Sequence, residues 1–260
     1  MILDFHTHIF PSSIAQKATD NVGNYYGINM EGDGTVGTLI ANMQSCGVTH
    51  SLVFSSATAA SQVVNVNDFV VAQLALHKQL LGFGTIHYEY PDIPGEIKRI
   101  KQIGLRGVKL HPDFQNFDMD APYMDPIYQE AEGFLPIIVH VGDENSVFSA
   151  PRKLRNVMDK FPNLTVVAAH MGGYTKWDEA EKYLYGTRAY LDTSSTFVRL
   201  TPMKIKQLIY EHGADKVLFG SDYPHQLPSN ALRDIHSLDL STGDQEKILY
   251  KNAAKLLNLE

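Results

Sequence analysis

The chain has 260 residues, and its 22 Lys and Arg against 29 Asp and Glu give a formal net charge of −7. Because 44% of the residues are hydrophobic and only 20% are charged, the composition is that of a folded globular protein and excludes a disordered or fibrous chain. The single cysteine, Cys46, excludes an internal disulfide and a zinc site built on paired thiolates. A bound metal would therefore have nitrogen and oxygen ligands.

Charge and hydropathy also limit the partners. The acidic chain has no cluster of Lys and Arg of the kind that neutralises nucleic-acid phosphates. It has no apolar run of about 18 residues that would span a membrane, and its N-terminus MILDFHTHIF lacks the basic segment of a signal peptide. We therefore expect a cytoplasmic protein with a small-molecule substrate, no nucleic acid and no membrane partner. The sequence leaves a homodimer open.

Eight short runs rich in Val, Ile, Leu and Phe recur along the chain, separated by stretches with helical periodicity. The runs are MILDFHTH from Met1, VTHSLVFS from Val48, LLGFGTIH from Leu80, LRGVKL from Leu105, LPIIVHV from Leu135, LTVVAAH from Leu164, RAYLDTS from Arg188 and KVLFGSD from Lys216. This alternation predicts βα units around a parallel sheet. Since a (β/α)8 barrel takes roughly 250 residues, we predict an α/β fold with one TIM-barrel domain over residues 1–260.

Proline near the start and glycine just past the end mark several helices between the runs. The predicted helices span residues 35–45 closed by Gly47, 63–79, 94–103 closed by Gly104, 151–160, and 202–212 closed by Gly213. Two further helices, over residues 228–238 and 244–257, are predicted to cover the barrel after its eighth strand. Two long connections, 9–34 and 114–123, are predicted to form lids over a site or surface loops.

Residues that bind metals or transfer protons stand where the runs end, and in a TIM barrel the C-terminal strand ends carry the active site. These residues are His6, His8, His87, Lys109, His111, His140, His170 and Asp222. With His225, seven of the 11 histidines lie at these ends, which predicts a functional site there. Asp4 shares the face of His6 one layer deeper, and we expect either a buried, hydrogen-bonded carboxylate or a residue that supports a ligand.

His6 and His8 are two residues apart on a predicted strand, so both imidazoles point to the same face and can grip one cation. His140 and Asp222 end other strands and supply the further ligands that a site with an open water position needs. His170 and Lys109 either join this site or are polar side chains that reach the same rim.

Two other chemistries lack their motifs. A nucleophilic serine or cysteine would need a G-x-S-x-G turn or a cysteine placed near a histidine, and neither pattern occurs. No glycine-rich phosphate loop follows a predicted strand, so a nucleotide cofactor is not expected.

The motifs DFHTH, GVKLHP, VHVG, AAHMGG and FGSDYPH follow one another in this order on the predicted strands. In this combination the chain resembles the amidohydrolase superfamily. It is most similar to the amidohydrolase-related branch that contains aminocarboxymuconate semialdehyde decarboxylase and similar aromatic-acid decarboxylases, hydratases and lactonases. The resemblance extends from Met1 to the tail NAAKLLNL.

The resemblance implies that His6, His8, His140 and Asp222 bind one divalent metal, most often zinc, with manganese as the alternative. Asp222 and His170 would then serve as acid and base groups around a metal-activated water. Lys109 is assigned to the catalytic residues, where a plain lysine would hold a substrate carboxylate as a point charge. In binuclear members of the superfamily a carboxylated lysine at the end of strand four bridges two metals, so a carbamylated Lys109 with a second metal is the alternative.

We therefore predict a metal-dependent hydrolase or decarboxylase-like lyase that acts on a small organic acid, amide, ester or lactone. Arg199, Tyr223 and His87 lie on predicted rim loops as substrate-binding candidates, and the guanidinium of Arg199 suits a carboxylate. One alternative is the binuclear enzyme that hydrolyses amides or lactones. An alternative of another class is a barrel that binds a metal or metabolite without turnover.

Overall fold

The structure is a computed structural model that describes residues 1–259. Each of the eight predicted runs contains a strand, and the third run contains two. The strands are β1 (Leu3–His8), β2 (His50–Phe54), β3 (Leu80–Gly82), β4 (Gly84–Thr85), β5 (Val108–Leu110), β6 (Ile137–Val139), β7 (Val166–Ala168), β8 (Tyr190–Asp192) and β9 (Val217–Leu218).

Twelve α-helices lie between and after these strands in residues 1–259. They are α1 (Ala15–Tyr26), α2 (Val36–Cys46), α3 (Val63–Leu76), α4 (Ile93–Gln102), α5 (Pro112–Gln115), α6 (Asp125–Ala131), α7 (Pro151–Lys160), α8 (Trp177–Tyr183), α9 (Pro202–His212), α10 (Pro228–His236), α11 (Thr242–Glu246) and α12 (Asn252–Leu257). A π-helical turn, Lys247–Lys251, joins α11 to α12. None of these helices is both long and apolar enough to cross a lipid bilayer.

Helices with clear end signals match their predicted bounds closely. The Thr35 side chain accepts a hydrogen bond from the Thr38 N–H at the start of α2, and Gly47 closes that helix with a left-handed φ of 78°. Helices α7 and α9 start at the predicted prolines and end at the predicted residues. A proline at the first helical position removes no intrahelical hydrogen bond, because the N–H at that position has no partner within the helix. Proline therefore marks the start of a helix from the local sequence alone.

The structure corrects the prediction for connection 9–34, which contains helix α1. The buried residues of α1 are Ala15, Thr19 and Gly23, spaced four apart on one face. These small side chains form no apolar stripe of the kind that marks an amphipathic helix in a sequence. The predicted helix over 63–79 is also too long, because α3 ends at Leu76. Helices α6 and α8 were not predicted.

The chain divides into two compact units. The first unit comprises Met1–Val53, Leu76–Leu81 and the chain from Asp192 onward. It contains the sheet β1-β2-β3. The residue after β9 pairs with β1, since the Phe5 N–H donates to the Phe219 carbonyl at 2.7 Å. The Thr193 N–H, just after β8, donates to the Leu218 carbonyl of β9 at 3.0 Å.

The second unit comprises Phe54–Ala75 and Gly82–Leu191. Its strands β4, β5, β6 and β7 pair in parallel in chain order, and the first two residues of β8 continue the sheet beside β7. The register places Lys109 between Thr85 of β4 and Ile138 of β6. Strand residues Val108, Ile138 and Val167 have no exposed surface, as expected for a parallel sheet with both faces covered. One domain over residues 1–260 stays a prediction.

Candidate metal centre

Three predicted ligands of the first unit meet at one point. His6 Nε2 lies 3.2 Å from His8 Nε2. Asp222 Oδ1 lies 3.3 Å from His6 Nε2 and 3.5 Å from His8 Nε2. Two imidazole nitrogens and one carboxylate oxygen thus converge as a set of donors that could hold a metal ion.

Local backbone structure brings this cluster together. Alternation along β1 places His6 and His8 on the same face, as the sequence predicts. Asp222 follows β9 with a left-handed φ of 62°, and its N–H donates to the His6 carbonyl at 2.8 Å. Non-glycine residues with a left-handed φ are uncommon. They concentrate at functional sites, where the surrounding structure holds their backbone in place.

Asp192 and Ser194 orient the His6 ring from its other side. His6 Nδ1 lies 2.9 Å from Asp192 Oδ2 and 3.1 Å from the Ser194 hydroxyl, and all three residues are buried. Ser194 in turn donates to the other carboxylate oxygen of Asp192. An ionised carboxylate accepts only, so His6 carries its proton on Nδ1 and presents a lone pair at Nε2.

The donor chemistry of the cluster fits a divalent cation. When His6 is neutral with its proton on Nδ1, the lone pair of its Nε2 faces Asp222 Oδ1 at 3.3 Å, and the two acceptors repel each other. A cation bound by these atoms would replace that repulsion with attraction. Cys46, the single thiol, lies at the end of α2 and adds no sulfur ligand to the set.

Asp4 supports the cluster from below. Its Oδ1 accepts hydrogen bonds from the His6 N–H at 3.2 Å and from the Ser221 N–H at 2.9 Å. Complete burial raises the pKa of Asp4 to about 7, although hydrogen bonds from Ser221 and His6 oppose the shift. Asp4 therefore ties β1 to the segment before Asp222, which agrees with the expected buried, hydrogen-bonded carboxylate.

A second hydrogen-bonded chain leaves Asp222 on the opposite side from His6. The Ser195 hydroxyl donates to Asp222 Oδ2 at 2.5 Å and lies 2.8 Å from His225 Nδ1. Ser195 and His225 are both buried, and burial lowers the pKa of His225. Each oxygen of Asp222 thus has its own neighbour: Oδ1 faces the two histidines and Oδ2 faces Ser195.

A cavity of about 450 Å³ lies in the first unit beside His225. Arg199, Glu31, Asn29 and Gln226 also line it. Arg199 is exposed, and within residues 1–259 its guanidinium forms no ion pair, whereas Glu31 accepts hydrogen bonds from the Leu227 N–H and the Asn230 side chain. The cavity wall therefore carries one charge of each sign, with the Glu31 carboxylate held by neutral donors and the Arg199 guanidinium in no ion pair with the described residues.

The second unit holds a histidine cluster of its own. His140 Nε2 lies 2.8 Å from the Gly142 carbonyl, which can only accept, so His140 carries its proton there. His140 Nδ1 must then accept from His170 Nε2, which lies 2.9 Å away. His170 has a left-handed φ of 59°, and Trp177 Nε1 donates to its carbonyl at 2.9 Å. His170 is thereby fixed with a proton on Nε2.

His111 packs flat against His140, with ring centroids 4.2 Å apart. Its Nδ1 accepts from the Phe114 N–H at 3.4 Å and caps α5. Asp113 Oδ2 lies 3.7 Å from His140 Nε2, and burial raises the pKa of this carboxyl group. These contacts immobilise the His140 ring.

Lys109 is the one lysine in residues 1–259 with no exposed surface. It stands in the middle of β5, and its Nζ lies 5.0 Å from the centroid of the Phe54 ring. An ammonium group so placed is far from the bulk water that would hydrate it. A role of Lys109 in catalysis stays a prediction.

The structure corrects the prediction for Tyr223. Its side chain has no exposed surface, and its hydroxyl donates to Asp33 Oδ1 at 3.0 Å and to the Thr35 carbonyl at 2.8 Å. Tyr223 thus binds the start of α2 and is not available to a substrate. His87 is buried and stacks on Tyr88, and its Nδ1 accepts from the Glu89 N–H at 3.2 Å. A substrate contact by His87 stays a prediction.

Sequence analysis missed Asp192, Ser194 and Ser195 as site residues. They stand at the end of the seventh run, RAYLDTS, and just beyond it, where a polar D-T-S-S series follows a strand. The rule that located the other site residues at strand ends applies equally to this strand. Asp192 stands at this strand end with no histidine beside it, so the local sequence carries a weaker metal-ligand signal than H-T-H.

A family model described as Amidohydrolase matches residues 4–259. The chain belongs to the amidohydrolase family, and it is a metal-dependent enzyme of that superfamily. The proposed ligand set and the family thus agree on a divalent metal, while neither selects zinc over manganese.

Relatives and solved structures agree with this assignment. The chain is 24% identical over 261 residues to gamma-resorcylate decarboxylase of Polaromonas sp. (strain JS666 / ATCC BAA-500), an alignment that covers 80% of this chain and 79% of the relative. An uncharacterized TIM-barrel protein of Bordetella bronchiseptica has a TM-score of 0.79 at 19% identity, over 99% of this chain and 98% of the other. A dihydroxybenzoic acid decarboxylase of Polaromonas sp. JS666, solved with manganese and 2-nitroresorcinol, has a TM-score of 0.71 at 17% identity, over 99% and 97%. The predicted α/β TIM-barrel fold is confirmed.

Proposed function

We propose that the protein is a metal-dependent decarboxylase of a small hydroxylated aromatic acid. The observation that carries the proposal is the convergence of His6 Nε2, His8 Nε2 and Asp222 Oδ1 within 3.5 Å. The proposed ligands are these three residues and His140, and the metal is manganese or zinc. In this structure both ring nitrogens of His140 are engaged, with the Gly142 carbonyl and with His170 Nε2, so His140 would bind the metal only after its contact with His170 is broken. For His140 the support is the sequence resemblance to the family. The decarboxylase relative supports the reaction and the substrate class.

A divalent cation bound by these residues would supply Lewis acidity, which orients substrate oxygens and lowers the pKa of water. Decarboxylation breaks the bond between the ring and its carboxylate, and the ring carbon takes one proton as CO2 leaves. A side chain of the protein must therefore donate this proton to the ring carbon. His170 holds one at Nε2 and is the candidate donor, and the ionised Asp222, whose Oδ2 accepts from Ser195, is the candidate base that receives a proton.

The test is CO2 release from a panel of hydroxybenzoates, including 2,6-dihydroxybenzoate, by protein loaded with Mn²⁺ or Zn²⁺. We expect CO2 from at least one hydroxylated acid and a loss of at least about 10²-fold in His170→Ala. Absence of CO2 across the panel, together with hydrolysis of an amide, ester or lactone panel, would overturn the decarboxylase in favour of a hydrolase.

Complete burial of Lys109 favours one second candidate, the binuclear hydrolase in which this lysine is carbamylated. Burial is costly for an ammonium group, and a carbamate would instead be a ligand that a second cation neutralises. Intact mass under non-acidifying conditions separates the two. An unmodified Lys109 supports the decarboxylase, and an added carbamate with two metals per chain supports the hydrolase.

A further inference from the structure

The hydrogen-bonded series Asp222–Ser195–His225 leads from the proposed metal ligands to the cavity lined by Arg199. We infer that His225 is a substrate-contacting residue of this cavity and that Ser195 positions it. In this arrangement Nε2 of His225 accepts a hydrogen bond from a hydroxyl group of the ligand, while Arg199 binds its carboxylate. The inference deepens the proposed function and takes from it only the hydroxy-acid class of ligand.

The direction of the hydrogen bonds follows from the number of protons available. An ionised Asp222 can only accept, so the single hydroxyl proton of Ser195 points to Asp222 Oδ2. The Ser195 oxygen, 2.8 Å from His225 Nδ1, must then accept from that nitrogen. A neutral His225 therefore has its proton on Nδ1 and a lone pair on Nε2.

The free nitrogen of His225 belongs to a residue that lines the cavity. His225 is only 6% exposed and lines the cavity, and its hydrogen bonds within residues 1–259 are made by Nδ1 and the backbone N–H. Nε2 can therefore accept a hydrogen bond from a ligand or water in the cavity. Arg199 on the same cavity wall has no carboxylate partner among these residues, so the two groups together match a ligand that carries a carboxylate and a hydroxyl.

Backbone conformation gives independent support for a built site. Ser195 has a left-handed φ of 53°, and its partner Asp222 has a φ of 62°. A non-glycine residue in this conformation persists where the surrounding structure requires it, and here two such residues are joined by a hydrogen bond. The His225 N–H also donates to the Asp222 carbonyl at 2.8 Å, which fixes the turn that carries both side chains.

The first test reads the tautomer directly. In Zn²⁺-loaded protein with 15N-labelled histidine, and with the His225 signals assigned by their loss in His225→Gln, we expect Nδ1 to be protonated and Nε2 to have the shift of an unprotonated nitrogen. In Ser195→Ala the Nδ1–H preference should be lost while metal content stays that of the wild type. A wild-type His225 protonated on Nε2, or a tautomer unchanged in Ser195→Ala, would overturn the inference.

The second test uses benzoate and 2-hydroxybenzoate as probes in calorimetric titrations of the metal-loaded protein. One accepted hydrogen bond predicts that 2-hydroxybenzoate binds roughly 5- to 10-fold more tightly than benzoate. His225→Phe retains a flat ring at this position but has no nitrogen that accepts a hydrogen bond, so this preference should disappear. Arg199→Gln should weaken both probes and retain the ratio between them.

The outcomes separate this inference from the proposed function. A preference for 2-hydroxybenzoate that survives in His225→Phe would show that the metal, not His225, contacts the hydroxyl group, and it would overturn the inference while leaving decarboxylation intact. Loss of the preference together with an absence of CO2 release would retain the His225 contact and reject the proposed reaction.

Discussion

Asp222 is the residue on which most of the site depends, because each of its carboxylate oxygens has a separate task. Oδ1 faces His6 and His8, and Oδ2 accepts the Ser195 proton. An amide in place of the carboxylate would remove the negative charge from the cluster. Its N–H₂ group would then face either the two histidines or Ser195. A site built this way should not tolerate even an isosteric change.

Asp222→Asn should lower turnover of the best substrate by at least about 10²-fold, because the change removes both a proposed metal ligand and a proton carrier. The fold should survive, since the backbone bond from the residue 222 N–H to the His6 carbonyl does not depend on the side chain. Steady-state kinetics with circular dichroism on the same sample checks both points. Wild-type turnover in the variant would remove Asp222 from the mechanism.

Asp192 is the second residue with a specific task, because it sets the tautomer of His6. Asp192→Asn should weaken metal affinity by about 10- to 100-fold without abolishing folding. The measurement is a competition titration against a chelator of known affinity. Asp234→Asn, at a half-buried position on α10, is the control and should bind metal like the wild type. Unchanged affinity in Asp192→Asn would mean that His6 is oriented by other contacts.

At the scale of elements, Asp33 joins the start of α2 to Tyr223. It accepts from the Thr35 N–H and hydroxyl, both at 2.9 Å, and from the Thr38 hydroxyl at 2.9 Å. Partial burial opposes ionisation of Asp33, but hydrogen bonds from Thr35, Thr38 and Tyr223 outweigh it and hold the pKa below its ordinary value of 3.8. The ionised form therefore stabilises the native state.

Asp33→Asn should lower the free energy of unfolding at pH 7 by about 1 kcal/mol. A depressed carboxyl pKa contributes stability above the unfolded-state value, and this contribution is lost as the pH falls through the folded-state pKa. The difference between wild type and variant should therefore shrink from pH 7 to pH 3 in urea titrations. Asp20→Asn, exposed on α1, should show little difference at either pH. A difference that grows toward pH 3 would contradict the assignment.

Elements were predictable from the sequence where their signals are local. Thr35 and Gly47 mark the two ends of α2, and the H-T-H pattern shows that His6 and His8 share a face, because strand alternation decides the direction of a side chain. Helix α1 could not be predicted, because its buried face consists of Ala15, Thr19 and Gly23, which form no hydrophobic stripe.

Partners of the site residues could not be predicted in the same way. His6 and Asp192 lie 186 residues apart, and Ser195 and Asp222 lie 27 apart. Local patterns give the direction of a side chain and not the residue it will meet. Tyr223 shows the same limit, because its position beside Asp222 suggested the substrate while its hydroxyl binds Asp33.

At the scale of the whole molecule, metal binding should add to the stability of the native state. A ligand at 100 times its dissociation constant stabilises by about 2.7 kcal/mol, which corresponds to roughly 5–10 °C in Tm for a chain of this size. Chelator should lower the Tm of the wild type by this amount, and restored Mn²⁺ or Zn²⁺ should return it. His6→Ala should show a Tm that chelator does not change. The same chelator effect in that variant would place the metal elsewhere.

Metal content per chain tests the central claim most directly. The wild type, loaded with Mn²⁺ or Zn²⁺ and freed of excess by gel filtration, should hold about one ion per chain by elemental analysis. His236→Ala, at an exposed position on α10, should hold the same amount, and His6→Ala should hold almost none. A wild type without metal, or a fully loaded His6→Ala, would contradict the account.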